Sequence, residues 1–245
     1  MKPEISAVIL AGGLGSRMGM ITEEVPKSML EVEGKPVISH ILDGLHLAFG
    51  STRVVIATGY KSEVIRDFYK YQYGSSSIEY VHSSEHLEIR RRLLLTDGLI
   101  KGPFFVIGSD VLVDPTHYSS MAHIYDSREV ETYGVISGAT DLTPAPTHAV
   151  ISADGDSVTG IQTYPPLNLR ESVLRDMSLW LFDQKTLDLL KQAPITELNI
   201  SPVLNSAIKQ GIRYVVARYN GIWYHFGVPE DLNAELTFIQ EGKHE

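Results

Sequence analysis

The sequence contains no cysteine. Disulfide frameworks and thiolate metal centres are excluded, and the usage fits a cytoplasmic protein. No apolar run is long enough to cross a bilayer, so neither a transmembrane helix nor a membrane partner is expected. The opening MKPEISAVIL holds one lysine and passes into a short apolar run without a small-residue cleavage site, which predicts a first strand and not a signal peptide. Positive charge is scarce: 21 Lys and Arg face 30 Asp and Glu, for a formal net charge of −9. That balance argues against nucleic acid as a general partner. Any anionic ligand must be met by a few locally placed cations. Linkers, repeats and low-complexity tracts are missing, and so are three motifs. The dinucleotide fingerprint G-x-G-x-x-G fails at Met18, and the P-loop Gly-Lys-Ser/Thr fails at Pro36. His82 and His86 sit in no H-E-x-x-H zinc motif.

What is present is a regular alternation. The 245 residues, 43% apolar and 21% charged, suffice for a sizeable core. Apolar, β-rich runs at Ile5–Ala11, Arg53–Ala57, Ile78–His82, Phe104–Gly108 and Tyr133–Gly138 predict strands. "PVISHILDGLHLAF", "KSEVIRDFYKY" and "HLEIRRRLLLTDGL" carry helical spacing between the early ones. Strands alternating with helices imply βαβ units and an α/β fold with a mostly parallel sheet. "DLTPAPTHAVISADGDSVTGI" reads as a hairpin turning at Asp154–Gly155. Helices are expected near 184–192, 202–210 and 229–240, the last docking through Leu232, Leu236 and Ile239. One domain over residues 1–245 is the simplest reading, with a nucleotide-binding half over about 1–115 and an acceptor-binding half over about 116–245.

The most informative stretch is "VILAGGLGSRMGMITEEVPKSML", Val8 to Leu30. A buried strand ends in Ala11 and breaks into Gly12, Gly13 and Gly15, followed by Arg17 and Lys27. In an open α/β sheet, ligands bind beyond the carboxyl ends of the strands. Glycines there let the backbone approach a ligand and present N–H groups to it. An arginine fork and a lysine point charge neutralise phosphate oxygens. A loop holding a triphosphate therefore competes with a plain glycine turn bearing two solvated cations, and the whole combination favours the triphosphate.

The same stretch, extended to "LAGGLGSRMGMITEEVPKSMLEVEGKPVI", resembles the signature of the sugar-phosphate nucleotidyltransferases: L-A-G-G-x-G-[ST]-R, then P-K, then K-P-[ML]-I. "VVIATGYKSEVIRDFY", "FFVIGSDVLVD" and "GIWYHFGVPEDLNAE" are similar to its later segments. The resemblance implies a GT-A-like Rossmannoid fold, a three-layer αβα arrangement with a mostly parallel mixed sheet. It implies transfer of a nucleotide from an NTP to a sugar 1-phosphate or related phosphorylated acceptor, with release of pyrophosphate. Arg17 would clamp the leaving β- and γ-phosphates, and Lys27 the α-phosphate and the attacking phosphate. Asp110, after the apolar run FFVIGS, would ligate Mg²⁺ (or Mn²⁺). Backbone groups of Leu10, Ala11, Gly12 and Gly13 would face the base, with Gly15 completing the loop.

Four departures from the family pattern fall outside the loop. His225 stands where a second metal-binding aspartate is usual, and imidazole is a poor Mg²⁺ ligand. With an ordinary pKa of about 6.5, it is expected either to carry a proton towards the acceptor phosphate or to be idle. Leu87, Glu88, Ile89 and Arg90 replace L-G-T-A. His148, Ala149 and Val150 replace an aromatic-Gly-Val, and Thr163, Tyr164 and Pro165 replace Glu-Lys-Pro with its phosphate-binding lysine. Arg90, Arg91, Arg92 or Arg170 are candidates to supply that missing charge, against the simpler expectation that each is a solvated surface cation. Two readings follow: an active transferase with an unusual acceptor, or a catalytically silent homologue that binds a nucleotide or nucleotide-sugar and regulates a partner. The sequence withholds the base, the acceptor and the oligomeric state. Since no hexapeptide β-helix extension is seen, trimerisation of that kind is not expected.

Overall fold

The computed structural model describes residues 5–83, 87–128, 130–141, 149–163 and 173–240, the side chains of Asp141, Ile239 and Gln240 excepted. His86, His148, Tyr164, Pro165 and Arg170 lie outside those residues.

The alternation read from the sequence is realised in the first half. β1 (Ser6–Ala11) leads through the ribbon β2–β3 (Glu31–Val32, Lys35–Pro36) into α1 (Val37–Phe49). β4 (Arg53–Thr58), α2 (Ser62–Tyr69), β5 (Gln72–Tyr73) and β6 (Ser76–His82) follow. Then come α3 (Ile89–Leu94), β7 (Phe104–Gly108), the short β8 (Val111–Leu112) and α4 (Pro115–Asp126). The second half holds β9 (Gly134–Asp141), the hairpin β10–β11 (Val150–Asp154, Ser157–Gln162) and β12 (Val173–Phe182). It closes with α5 (Gln184–Gln192), α6 (Ile200–Lys209), β13 (Tyr214–Tyr219), β14 (Tyr224–His225) and α7 (Thr237–Gln240).

Ten strands form one sheet in the order β10-β11-β13-β9-β12-β7-β1-β4-β6-β5. β7, β1, β4 and β6 run parallel, and β12 joins the two halves by pairing antiparallel with both β7 and β9. Strands covered on both faces must be apolar at successive positions. Val8, Val55 and Val106 therefore point to one layer, with Leu93, Leu187 and Leu204 of α3, α5 and α6. Ile9, Ile56 and Ile107 point to the other, with Ile38, Ile41 and Leu45 of α1. This is the three-layer αβα arrangement. Because the four central strands are parallel, their carboxyl ends open on one edge, and the glycine loop lies there.

One expected element is corrected. Residues 229–240 do not form a continuous helix: a 3₁₀ turn at Pro229–Asn233 gives way to extended backbone at Ala234 before α7. The groups a helix would use are taken by tertiary partners. Leu236 N–H donates to Glu33 Oε1 at 2.7 Å, and Tyr224 Oη–H donates to Glu235 O at 2.7 Å. Leu236 is fully buried, so the docking expected of this segment occurs without the helix.

Candidate active site

The loop after β1 turns through Gly15, whose φ of 65° is left-handed and therefore glycine territory. A Cβ there would also fall 3.0 Å from Lys27 Cβ, so glycine lets Lys27 pack against the loop. At Gly13 neither constraint applies: its φ is not left-handed and nothing lies within 4 Å of a Cβ position. Arg17 is the second residue of the 3₁₀ segment Ser16–Thr22, and Lys27 begins another, Lys27–Met29.

Asp110 lies two residues beyond the end of β7, at the carboxyl edge. Lys27 Nζ donates to its Oδ2 at 2.5 Å. The opposite wall comes from far along the chain. β14 pairs antiparallel with β8, matching His225 to Val111, and Phe226 N–H donates to Asp110 O at 2.9 Å. That pairing sets His225 Nε2 3.6 Å from Asp110 Oδ2. Burial alone would raise the Asp110 carboxyl, but Lys27 and then His225 hold it below the ordinary range, so it is ionised. Burial, Lys27, Arg175 and Arg17 push His225 below its usual value, against the pull of Asp110. That shift favours the neutral imidazole over the proton-carrying one of the two roles expected for His225 from the sequence.

These residues border a cleft of about 400 Å³, whose lining includes Leu10, Ala11, Gly12, Gly13 and Gly15 as well as Arg17, Lys27, Asp110 and His225. A second cleft of about 220 Å³ adjoins it. Arg17, Ile89, Ser178, Trp180 and His225 line both. Arg175, Asp176, Asn199, Ser201 and Thr163 make the second cleft polar.

The floor of that second cleft is a bulge in β12 that sequence reading missed. Its register against β9 shifts between Asp176 and Trp180, and Ser178 takes a left-handed φ of 56°. Asp176 holds the bulge by accepting from Ser178 N–H at 2.8 Å and Trp180 Nε1–H at 3.3 Å. Burial pushes the Asp176 carboxyl up to about 6, although these bonds and Arg175 favour its charge. The Arg175 guanidinium lies 4.6 Å from the Trp223 ring centroid, a cation–π distance. The signal available was the charged pair Arg175–Asp176 inside an otherwise apolar strand.

The arginines of α3 depart from expectation. Arg91 is exposed, as a surface cation should be. Arg90 and Arg92 are buried instead. The Arg90 fork donates to the carbonyls of Leu190, Ala193, Pro194 and Glu197, closing the end of α5. Arg92 turns towards the first cleft.

A glycine loop with two cations, facing a strand-end carboxylate on an open αβα sheet, defines a nucleotide-handling protein of the nucleotidyl-transfer class. A family model described as Nucleotidyl transferase matches residues 6–242, and the chain belongs to that family. It is 27% identical over 241 residues to the UTP–glucose-1-phosphate uridylyltransferase AglF of Haloferax volcanii, covering 97% of each chain. It is 30% identical over 248 residues to the bifunctional protein GlmU of Methanococcus maripaludis, covering 97% of this chain and 55% of that one. Among solved structures, a UDP-glucose pyrophosphorylase complexed with UDP-glucose superposes with a TM-score of 0.81 at 19% identity, covering 94% of this chain and 96% of that one. The inositol-1-phosphate CTP transferase from T. maritima does so with a TM-score of 0.73 at 16% identity, covering 97% and 94%. Likeness at such low identity speaks to the fold, which is GT-A-like.

Proposed function

We propose that the chain transfers NMP from an NTP to a phosphorylated small molecule, a sugar 1-phosphate or a relative of one, and releases pyrophosphate. One observation carries this reading: the glycine loop, Arg17, Lys27 and Asp110 meet around a nucleotide-sized cleft that opens into a second, polar one. We treat residues 1–245 as one functional unit, since β12 pairs with strands of both halves.

An acceptor phosphate oxygen attacks the α-phosphorus, and the bond to the bridging oxygen of the β-phosphate breaks. The protein positions two anions and neutralises the charge that develops. Lys27 contacts the α-phosphate and the incoming phosphate. Arg17, which borders both clefts, takes the leaving pyrophosphate. The base lies along Leu10, Ala11, Gly12 and Gly13, and Gly15 shapes the loop. Arg175 lines the acceptor cleft beside Arg17, where the family's lysine is replaced. His225 is neutral and faces the junction, so it orients a ligand by hydrogen bonding and not by charge.

The donor chemistry suits a divalent cation such as Mg²⁺ or Mn²⁺. One ionised carboxylate plus phosphate oxygens and waters is an ordinary way to hold Mg²⁺. Asp110 would hold it, and the ion would neutralise phosphate oxygens as charge builds. Among the described residues no cluster of three or more His, Asp or Glu could hold a metal by itself, so a bound nucleotide would have to supply further ligands. The proposal places the enzyme in the cytoplasm, where NTP pools lie. No helix among the described residues is long and apolar enough to cross a membrane.

A second reading, nucleotide binding without turnover, draws on the neutral His225 where a second carboxylate is usual. Pyrophosphate release separates the two: any acceptor-dependent release supports transfer, and its absence with bound NTP supports a silent homologue.

A further inference from the structure

Ser178 holds a backbone conformation that its own side chain makes costly. Among the described residues, the non-glycine residues with positive φ are Glu33, Lys61, Lys70 and Ser178. The first three sit in turns, whereas Ser178 lies inside β12. A left-handed φ strains any residue with a Cβ, and strain of this kind gathers at ligand sites. The bulge itself requires no side chain at this position. Asp176 fixes it by accepting the Ser178 N–H, and glycine is the residue that takes such a φ freely. What serine adds beyond the needs of the fold is one hydroxyl.

Strand pairing places that side chain. β12 pairs with β7 so that Leu179 faces Ile107, which brings Ser178 level with Gly108. A Cβ on Gly108 would fall 3.4 Å from Ser178 Cβ and 3.1 Å from Asp110 Oδ1. Ser178 therefore stands beside the Asp110 carboxylate, half-buried, where the two clefts meet. Of the others that border both clefts, Ile89 has no side-chain donor, Trp180 donates to Asp176, and Arg17 is assigned to the leaving group above. A neutral donor suits this spot. A cation here would pair with Asp110 as Lys27 does, whereas a hydroxyl can turn to an incoming anion.

We propose that Ser178 is a binding residue for the acceptor: its hydroxyl donates to an oxygen of the incoming phosphate monoester and seats that phosphate beside Asp110 at the junction of the clefts. Calling the phosphate the acceptor's rests on the transferase reading above. The hydroxyl supplies a hydrogen bond to a charged group without adding charge of its own. It therefore acts on affinity for that phosphate and leaves affinity for the NTP in place.

Both tryptophans of the chain, Trp180 and Trp223, line the second cleft, so intrinsic fluorescence reports on it. Titrating the full chain with inorganic phosphate should give a saturable change. Ser178→Gly should weaken that binding about tenfold or more, the loss of a hydrogen bond to a charged group. Its Tm should hold, because relief of the strain offsets the extra freedom of an unfolded glycine. Calorimetric affinities for UTP and ATP with Mg²⁺ should stay within about threefold of the wild type, well under the cost of one such bond. No saturable response of the wild type to phosphate, or equal phosphate affinity in the two proteins, overturns the proposal. So does a Tm lowered by more than about 4 °C, which marks a structural role, or a loss confined to the nucleotides. The phosphate titration needs neither NTP nor turnover, which separates it from the transferase reading. Phosphate binding that depends on Ser178, in protein that releases no pyrophosphate with any acceptor, sinks the transferase and leaves the contact standing. Release whose rate and acceptor KM are unchanged in Ser178→Gly does the reverse.

Discussion

Lys27 and Asp110 form the tightest pair in the site, and each changes what the other can do. The Lys27 side chain is 14% exposed and that of Asp110 26%, so the pair is screened less than a surface bridge. Lys27→Ala should lower turnover by about a hundred- to a thousandfold, as loss of one oriented charge stabiliser does, with the fold intact. Arg17→Ala should do the same through the leaving group. Steady-state pyrophosphate release checks both, and wild-type rates in either variant would remove that residue from the site. Asp176 makes a different prediction. Its folded pKa of about 6 lies above the ordinary 3.8, so between these values the native state binds more protons than the unfolded state. Its contribution to stability is fully present below pH 4 and is lost as pH rises through 6, by on the order of 3 kcal/mol. Urea unfolding across pH 4–7 should show that decline, and Asp176→Asn should flatten it. The gathering of the glycine loop, Arg17 and Lys27 at one cleft was readable because glycines and cations follow a strand in an acidic chain. Asp176 was not read, because its role depends on a backbone bulge whose one local sign is the charged pair Arg175–Asp176 within an apolar strand.

At the scale of elements, much of the first half follows from apolar periodicity. Phe104–Gly108 and Gln184–Gln192 coincide with the elements expected there. β12 was missed because Arg175 and Asp176 interrupt its apolar run, and α4 because "PTHYSSMAHIYD" is too polar to show a stripe. The helix expected over 229–240 failed for the opposite reason, since tertiary hydrogen bonds overrode good local spacing. Arg90 shows how an element can be held by a residue that looked like surface charge. Its guanidinium serves four carbonyls around the end of α5 while 3% exposed. Arg90→Met should therefore destabilise the protein by about 2–4 kcal/mol, the cost of orphaning several buried acceptors. Equilibrium denaturation measures it; a change below about 0.5 kcal/mol, the surface range, would mean those carbonyls find other partners.

Across the whole molecule, a negatively charged chain concentrates its useful cations at one sheet edge. The formal net charge is −9, yet Arg17, Lys27 and Arg175 line the two adjoining clefts. That distribution favours compact phosphorylated ligands over polyanions. The most direct measurement is pyrophosphate release from each of the four NTPs, with Mg²⁺, against sugar, heptose, alditol and choline phosphates. The account predicts release with at least one NTP–acceptor pair, abolished by EDTA and reduced at least about a hundredfold in Lys27→Ala. No release from any pair by protein that binds NTP, or release that Lys27→Ala leaves unchanged, would contradict it.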